Sequence, residues 1–228
     1  MTIFKYSLKR GFFSPATLIL NCAMPLALMI AMRGEGLGEQ GLFLIAMAVM
    51  FGGFFMAKGV QSDRAEGVLM RILAGPVTMA DYLIQNLLSA IIPMIGLSAA
   101  IGVFGIAFHD WNLTFALGVS VAYSFLAITS VGLSFVWSSL FKSKDSSSAA
   151  FAAAMTLIAA VSGFFVPLRL MPDILFYIGA LFPAHWASRA IQIMLDYGEF
   201  TQMYWLSILA MLLFAVAYIL FGGKRRII

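Results

Sequence analysis

Asp63, Arg64, Glu66 and Arg71 stand together in the stretch Ser62–Pro76, SDRAEGVLMRILAGP, between two long apolar runs. Mixed charges on a short helix suit recognition of a partner rather than catalysis. Ser62 or Asp63 can cap the first turn, and Asp63 with Glu66 has capping-box spacing. Gly75 supplies the C-terminal stop and Pro76 prevents continuation. At about 100° per residue, Ala65, Val68, Leu69, Ile72 and Leu73 share one face. Asp63, Arg64, Glu66, Gly67 and Arg71 cover the other, and Met70 projects among them, where its adaptable thioether suits a partner's groove. Two readings stand from the pattern: a docking helix, or a helix whose apolar face lies on the membrane with Met70 incidental.

Residues able to do covalent or acid–base chemistry are scarce. No GxxxxGK[ST] loop is present to cradle phosphates, so nucleotide binding of the usual kind is not expected. The histidines are His109 and His185, both placed in outer loops, and no HExxH or Cys/His cluster offers a zinc site. No GxSxG elbow suggests a hydrolase. His109 reads as a loop residue beside Asp110. The lone Cys22 lies in an apolar run and forms no intrachain disulfide. No charged residue falls deep in an apolar run, which speaks against the proton relays and ion-coupling sites of secondary transporters. Energy for any transport must then come from another subunit.

The elements that position the loop are membrane spans. The chain of 228 residues is 62% apolar and 11% charged, against about 45–50% and about 25% in soluble domains, and its mean hydropathy is +0.98. The expected fold is an all-α polytopic membrane protein, a single transmembrane domain over residues 1–228. Six spans are expected at Pro15–Met32, Leu42–Gly59, Tyr82–Phe108, Leu113–Phe141, Ser147–Val166 and Met203–Gly222. The first is long and lacks a cleavage site, so it reads as a retained span and not a signal peptide. With both termini inside, Lys5, Lys9, Arg10, Lys58, Arg64, Arg71, Lys142, Lys144, Lys224, Arg225 and Arg226 are cytoplasmic, and Arg33, Arg169 and Arg189 are outside. That asymmetry follows the positive-inside rule, so the net charge of +4 is a topology signal and not a nucleic-acid signal.

Two segments flank this set. Residues 1–14 form an amphipathic interfacial helix, with Lys5, Lys9, Arg10 and Tyr6 on one side and Ile3, Phe4, Leu8 and Phe12 on the other, turning into the membrane at Ser14-Pro15. A plain basic flank explains the charges equally well. Residues 167–202 hold two apolar stretches, Ile174–Phe182 and Ala190–Leu195, each too short to span and separated by Pro183. A re-entrant hairpin on the outer side keeps the C-terminal cations inside; the alternative is an interfacial loop anchored by Trp186 and Tyr197. Ser98 with Gly102, and Gly118 with Ala122, have the small-xxx-small spacing of close helix packing.

The stretch DRAEGVLMRILAGPVTMADYLIQNLL resembles the loop after the second span of type-2 ABC transporter permeases, through Arg64, Glu66, Gly67, Leu69, Ile72, Leu73, Gly75, Pro76 and Tyr82. The segment SGFFVPLRLMPDILFYIGALFPAHW resembles that family's outer motif through Ser162, Gly163, Pro167, Met171-Pro172, Pro183 and Trp186, with Met171 in place of the usual Leu. The resemblance spans essentially the whole chain. It implies that 62–76 is the coupling helix, that Asp63, Arg64, Glu66, Gly67, Met70 and Arg71 dock on an ATPase, and that Lys5, Lys9 and Arg10 belong to an interfacial helix beside it. It implies that Ser162, Gly163, Pro167, Pro172 and Pro183 form an external gate over a re-entrant pair.

The function so implied is the membrane subunit of an ATP-driven exporter in the bacterial inner membrane. The chain itself would be no enzyme and hold no cofactor: separate cytoplasmic ATPase subunits would bind ATP and Mg, and a second permease copy, identical or related, would complete the pathway within membrane lipid. Met, Phe, Ala and Ser enrich the first, second and fifth spans, and Asn21, Met24, Phe51 and Phe55 are the expected path residues. Such a lining suits a drug, an antimicrobial peptide or a lipid-like molecule, as in multidrug efflux and antibiotic resistance. Alternatives are a membrane enzyme acting on lipids or peptides, and a stand-alone scaffold.

Overall fold

A computed structural model describes residues 2–33, 37–141 and 143–224. Every regular element among them is helical: α1 Thr2–Phe12, α2 Pro15–Leu18, a π-helical turn Ile19–Ala23, α3 Met24–Ala31, α4 Gln40–Ala57, α5 Gly59–Ala65, α6 Val68–Leu73, α7 Met79–His109, α8 Leu113–Ser138, α9 Lys144–Val161, a 3-10 turn Leu168–Leu170, α10 Asp173–Gly179, α11 Pro183–Tyr197 and α12 Gln202–Lys224.

Local chemistry sets the starts. Ser14 precedes α2 with Pro15 at its first position, and the Ser14 hydroxyl accepts from the Thr17 amide at 3.3 Å, so the expected turn at Ser14-Pro15 is present. Thr78 caps α7 by accepting from the Asp81 amide at 3.1 Å, and Asn112 caps α8 by accepting from the Phe115 amide at 2.7 Å. The π turn sits where Pro25 follows Asn21 by four residues. Proline has no N–H for the Asn21 carbonyl and its ring crowds that carbonyl, which accounts for the departure from α geometry.

Among the described residues, four helical runs are long and apolar enough to cross a membrane: Gln40–Asp63, Met79–His109, Leu113–Ser138 and Gln202–Gly222. The bent pair Ile3–Phe12 and Pro15–Ala31, at 66° to each other, makes a fifth only if both are counted as one span. The apolar part of α9, Ser146–Val161, is shorter, because Gly163 at φ +92° turns the chain before Val166. The second expected span runs longer than Leu42–Gly59, since α4 continues through α5 to Asp63.

α8 is the central mast and packs against α4, α7, α11 and α12. Its polar side chains bond to neighbouring backbones. The Tyr123 hydroxyl donates to the Leu42 carbonyl at 2.8 Å, Ser130 donates to the Met50 carbonyl, and Thr129 donates to the Met211 carbonyl at 3.1 Å. Tyr204 of α12 returns a bond to the Gly118 carbonyl at 2.7 Å. Lipid offers no hydrophobic drive between helices, so such bonds and close packing hold the bundle. Gly102 leaves no room for a Cβ beside Ser120, and Gly118 none beside Met194. The small-residue pairs expected to pack do so, with Ser98 and Ala122 also buried.

Candidate functional site

The Ser62–Pro76 stretch is two helices, not one. α5 ends at Ala65, and Gly67 adopts φ +69° to open α6 as its N-cap residue. The left-handed backbone costs an L-residue about 1–2 kcal/mol and glycine almost nothing. Ser62 and Asp63, expected to cap a first turn, lie inside α5, which starts at Gly59, and the Ser62 hydroxyl donates to Glu66 Oε1 at 3.4 Å. Ala74 and Gly75 close α6 as the sequence indicates. Leu69 is buried, and Ile72 and Leu73 pack with Val60, Met56 and Tyr82. The apolar face lies on protein, in the same cluster as Ile3, Leu8 and Phe12 of α1.

Asp63 corrects the outward face read from the helical wheel. It is buried, its carboxylate accepting from Arg10 Nη1 at 2.5 Å, from Arg10 Nη2 at 3.1 Å and from the Tyr82 hydroxyl at 2.6 Å. The wheel placed it outward because it treated 62–76 as one straight helix; the break at Gly67 rotates α5 independently of α6. Arg10 is likewise turned inward from Lys5 and Lys9, which stay exposed. Burial alone would lower the Arg10 pKa, but the hydrogen bond and charge of Asp63 outweigh it and raise it. Gly59 passes close to the guanidinium, and a Cβ there would meet it. α1 is further tied to α7 by Ser7 donating to Asn86 Oδ1 at 2.8 Å and by the Phe4 amide donating to Gln85 Oε1 at 3.2 Å.

What remains on the outside is a compact patch. Glu66 and Arg71 are exposed, and Met70 is 72% exposed beside the buried Leu69. The side chain of Arg64 lies outside the described residues.

The proline-rich outer residues are brought together only in part. Ser162 and Pro183 are buried, Pro167 is half-buried before the 3-10 turn, and Pro172 is exposed. Gly163 lies against Leu168 and the Ser188 hydroxyl. α11 is buried along Ala184, Ala187, Ala190, Ile191 and Met194, wedged against α8 and α12.

The family model described as ABC-2 family transporter protein matches residues 36–224. The chain belongs to that family. A search of curated proteins finds no match. ABC-2 membrane components are transport subunits, not catalysts, and membership implies association with ABC ATPase subunits. It also makes this chain a multi-pass membrane protein.

In this ABC-2 permease the expected path residues are spread out. Asn21 is buried in the π turn, with its carboxamide against Gly52 of α4 and without a hydrogen-bond partner among the described residues. It borders an apolar pocket of about 190 Å³ with Pro25, Met29, Leu97, Ile101 and Phe104. Met24, Phe51 and Phe55 are half-buried and do not line that pocket. Phe51 meets Phe151 of α9 edge-on at 5.9 Å.

Sequence reading missed the interior of the outer segment. His185 is fully buried on α11, close to Gly179 and edge-on to Phe176 at 4.7 Å. Burial, and then the charge of Arg189, lower its pKa to about 4. Ser162 and Ser188 are also buried, and neither bonds to His185, so the three do not form a nucleophile–base pair. The signal was the position of His185 at the start of a helix of small residues, PAHWASRA. Among the described residues no cluster of His, Cys, Asp or Glu is placed to hold a metal.

Proposed function

We propose that this permease is half of an ABC exporter that moves a hydrophobic or amphipathic molecule outward, driven by separate ATPase subunits that bind ATP and Mg. Six membrane crossings, with α9 as the fifth and residues 167–202 as an outer re-entrant pair, keep both termini on the cytoplasmic side of the bacterial inner membrane. A second copy, or a related permease, supplies the other half. α6 and the turn before it present Glu66, Gly67, Met70 and Arg71, with Arg64, to the ATPase, and Asp63 serves from behind by fixing α5 to α1. Ser162, Gly163, Pro167, Pro172 and Pro183 shape the outer gate, and Asn21 with Met24, Phe51 and Phe55 borders the path.

The observation that carries this reading is the pairing of an exposed Met70 and Arg71 with a rigidly seated α6. Leu69 is buried beneath them, and the Arg10–Asp63–Tyr82 bonds lock the preceding turn to α1 and α7. A surface that is pushed must transmit displacement without deforming, and packed elements switch as bodies. The apolar lining of the pocket beside Asn21 favours a hydrophobic cargo, the class to which drugs and antimicrobial peptides belong.

The test is retention of the ATPase by the tagged permease. Met70→Glu with Arg71→Glu removes the apolar knob and inverts a charge, and ATPase recovery should fall at least tenfold while the permease elutes unchanged in gel filtration. Undiminished recovery would remove α6 as the docking element. Wild-type permease that never retains an ATPase from its native membrane would defeat the exporter reading altogether.

A further inference from the structure

Two of the arginines that depart from the basic cytoplasmic set, Arg169 and Arg189, border one surface cleft of about 430 Å³. They come from different elements, the 3-10 turn and α11. Arg189 makes no ion pair among the described residues. Its guanidinium lies 6.0 Å from the Phe176 ring centroid and 5.8 Å from that of Trp186, and its Nη2 sits 3.8 Å from Met203 Sδ. Arg169 Nη1 is 3.7 Å from Asp196 Oδ1, and both side chains are exposed. A charge-assisted N–H···O bond is about 2.7–2.9 Å, so this contact is loose and worth little. Asp196 is engaged instead by Gln192, whose amide donates at 2.9 Å to the same oxygen.

Leu168, Phe176, Ile193 and Met203 give the cleft an apolar wall, and Gln192, Tyr197 and Thr201 complete its lining. α10, which contributes Phe176 to the cleft, also exposes Ile174 and Tyr177 at 69 and 72%, and Leu181 just beyond its end is 69% exposed. Two guanidinium forks with spare donors fit phosphate oxygens bidentately. The hydrocarbon wall favours a phosphate that carries an acyl tail over a free ion, and Asp196 at the rim disfavours a doubly charged free anion.

We propose that this cleft is a lipid site, in which Arg169 and Arg189 hold the phosphate of a phospholipid headgroup while the acyl chains lie along the exposed apolar surface of α10. Its placement in the outer leaflet rests on the topology proposed above; the binding chemistry does not.

The full chain, purified in detergent, is titrated with short-chain phosphatidylglycerol, with the diacylglycerol of the same chains, and with inorganic phosphate, and bound lipid is read by native mass spectrometry. Phosphatidylglycerol should bind at least tenfold more tightly than the diacylglycerol. Arg189→Gln should weaken it about tenfold or more, Arg169→Gln less, and Arg33→Gln not at all, since Arg33 lies instead over Phe108. Should Arg189→Gln fail to fold, the exposed Arg169→Gln still decides the matter. Equal binding of the diacylglycerol, unchanged binding in both cleft variants, or displacement of the lipid by equimolar inorganic phosphate would overturn the proposal. No ATPase enters the experiment, so loss of this site leaves the exporter reading standing and the converse also holds.

Discussion

Removing the Asp63 carboxylate strands two partners at once, because Arg10 and the Tyr82 hydroxyl both donate to it. Asp63→Ala should cost about 2–3 kcal/mol, toward the lower end for a broken buried pair because the Arg10 side chain is 28% exposed. Thermal unfolding of the detergent-solubilised chain checks this. Arg10→Met with Asp63→Leu should recover part of the loss, since a pair removed whole leaves no unpaired charge; a double variant weaker than the sum of both singles would contradict the assignment. His185 offers a second residue-scale prediction. Its pKa is depressed from 6.5 to about 4, so between those values the unfolded chain binds more protons than the folded one. The stabilising effect of the neutral imidazole is complete above about pH 6.5 and declines as pH falls toward 4. The melting temperature should drop as pH goes from 7.5 to 5, and His185→Leu should flatten that dependence. None of these partners was legible in the sequence: Asp63 meets an arginine 53 positions away and a tyrosine 19 away, and no local periodicity encodes such pairings.

Gly67 shows how an element can be right in place and wrong in form. The C-terminal stop at Gly75-Pro76 and the apolar set Leu69, Ile72 and Leu73 were readable because capping and 3.6-residue periodicity are local. The break at Gly67 was not, since glycine inside a helical pattern is also tolerated at modest cost. Helical spacing placed Gly67 only on the charged face of a single helix. Its backbone at φ +69° with open space around the Cβ position makes it the break between α5 and α6. The two roles separate by substitution. Gly67→Asn tolerates the left-handed region and should keep both fold and ATPase retention, whereas Gly67→Val should lose about 1–2 kcal/mol and misaim α6. If Asn abolishes retention as fully as Val while melting like wild type, bulk at the docking face and not backbone conformation is the constraint. The same logic explains the outer segment: its break at Pro183 was visible, but the turn at Gly163, inside the expected fifth span, was not, and the burial of Ser162, His185 and Ser188 depends on α9, α10 and α11 converging, which no single element announces.

At the scale of the molecule, the open quantity is how often the chain crosses the membrane. Helix length and apolarity give four crossings outright, and charge asymmetry asks for six. The difference lies in Pro15–Ala31 and Ser146–Val161, each a few residues short of the roughly 20 that a typical bilayer requires. Short helices are accommodated by local thinning and by packing against longer neighbours. Both have such neighbours: α3 and the π turn lie against α4, and Trp137 of α8 donates to the Ser147 carbonyl at the start of α9 at 3.0 Å. If α9 crosses and residues 167–202 fold back on the outer side, Ser143 and Glu199 must lie on opposite sides. Both are exposed, so single cysteines at each, in a Cys22→Ala background, report directly. A membrane-impermeant maleimide applied to intact cells should label Glu199→Cys and leave Ser143→Cys unlabelled until the membrane is permeabilised. Labelling of both from outside would mean that α9 does not cross. With Ser143 outside, the single crossing of α12 would then carry Lys224 to the inside. The two-site pattern therefore decides between a six-crossing chain with a re-entrant pair and a chain whose fifth apolar helix lies in the interface.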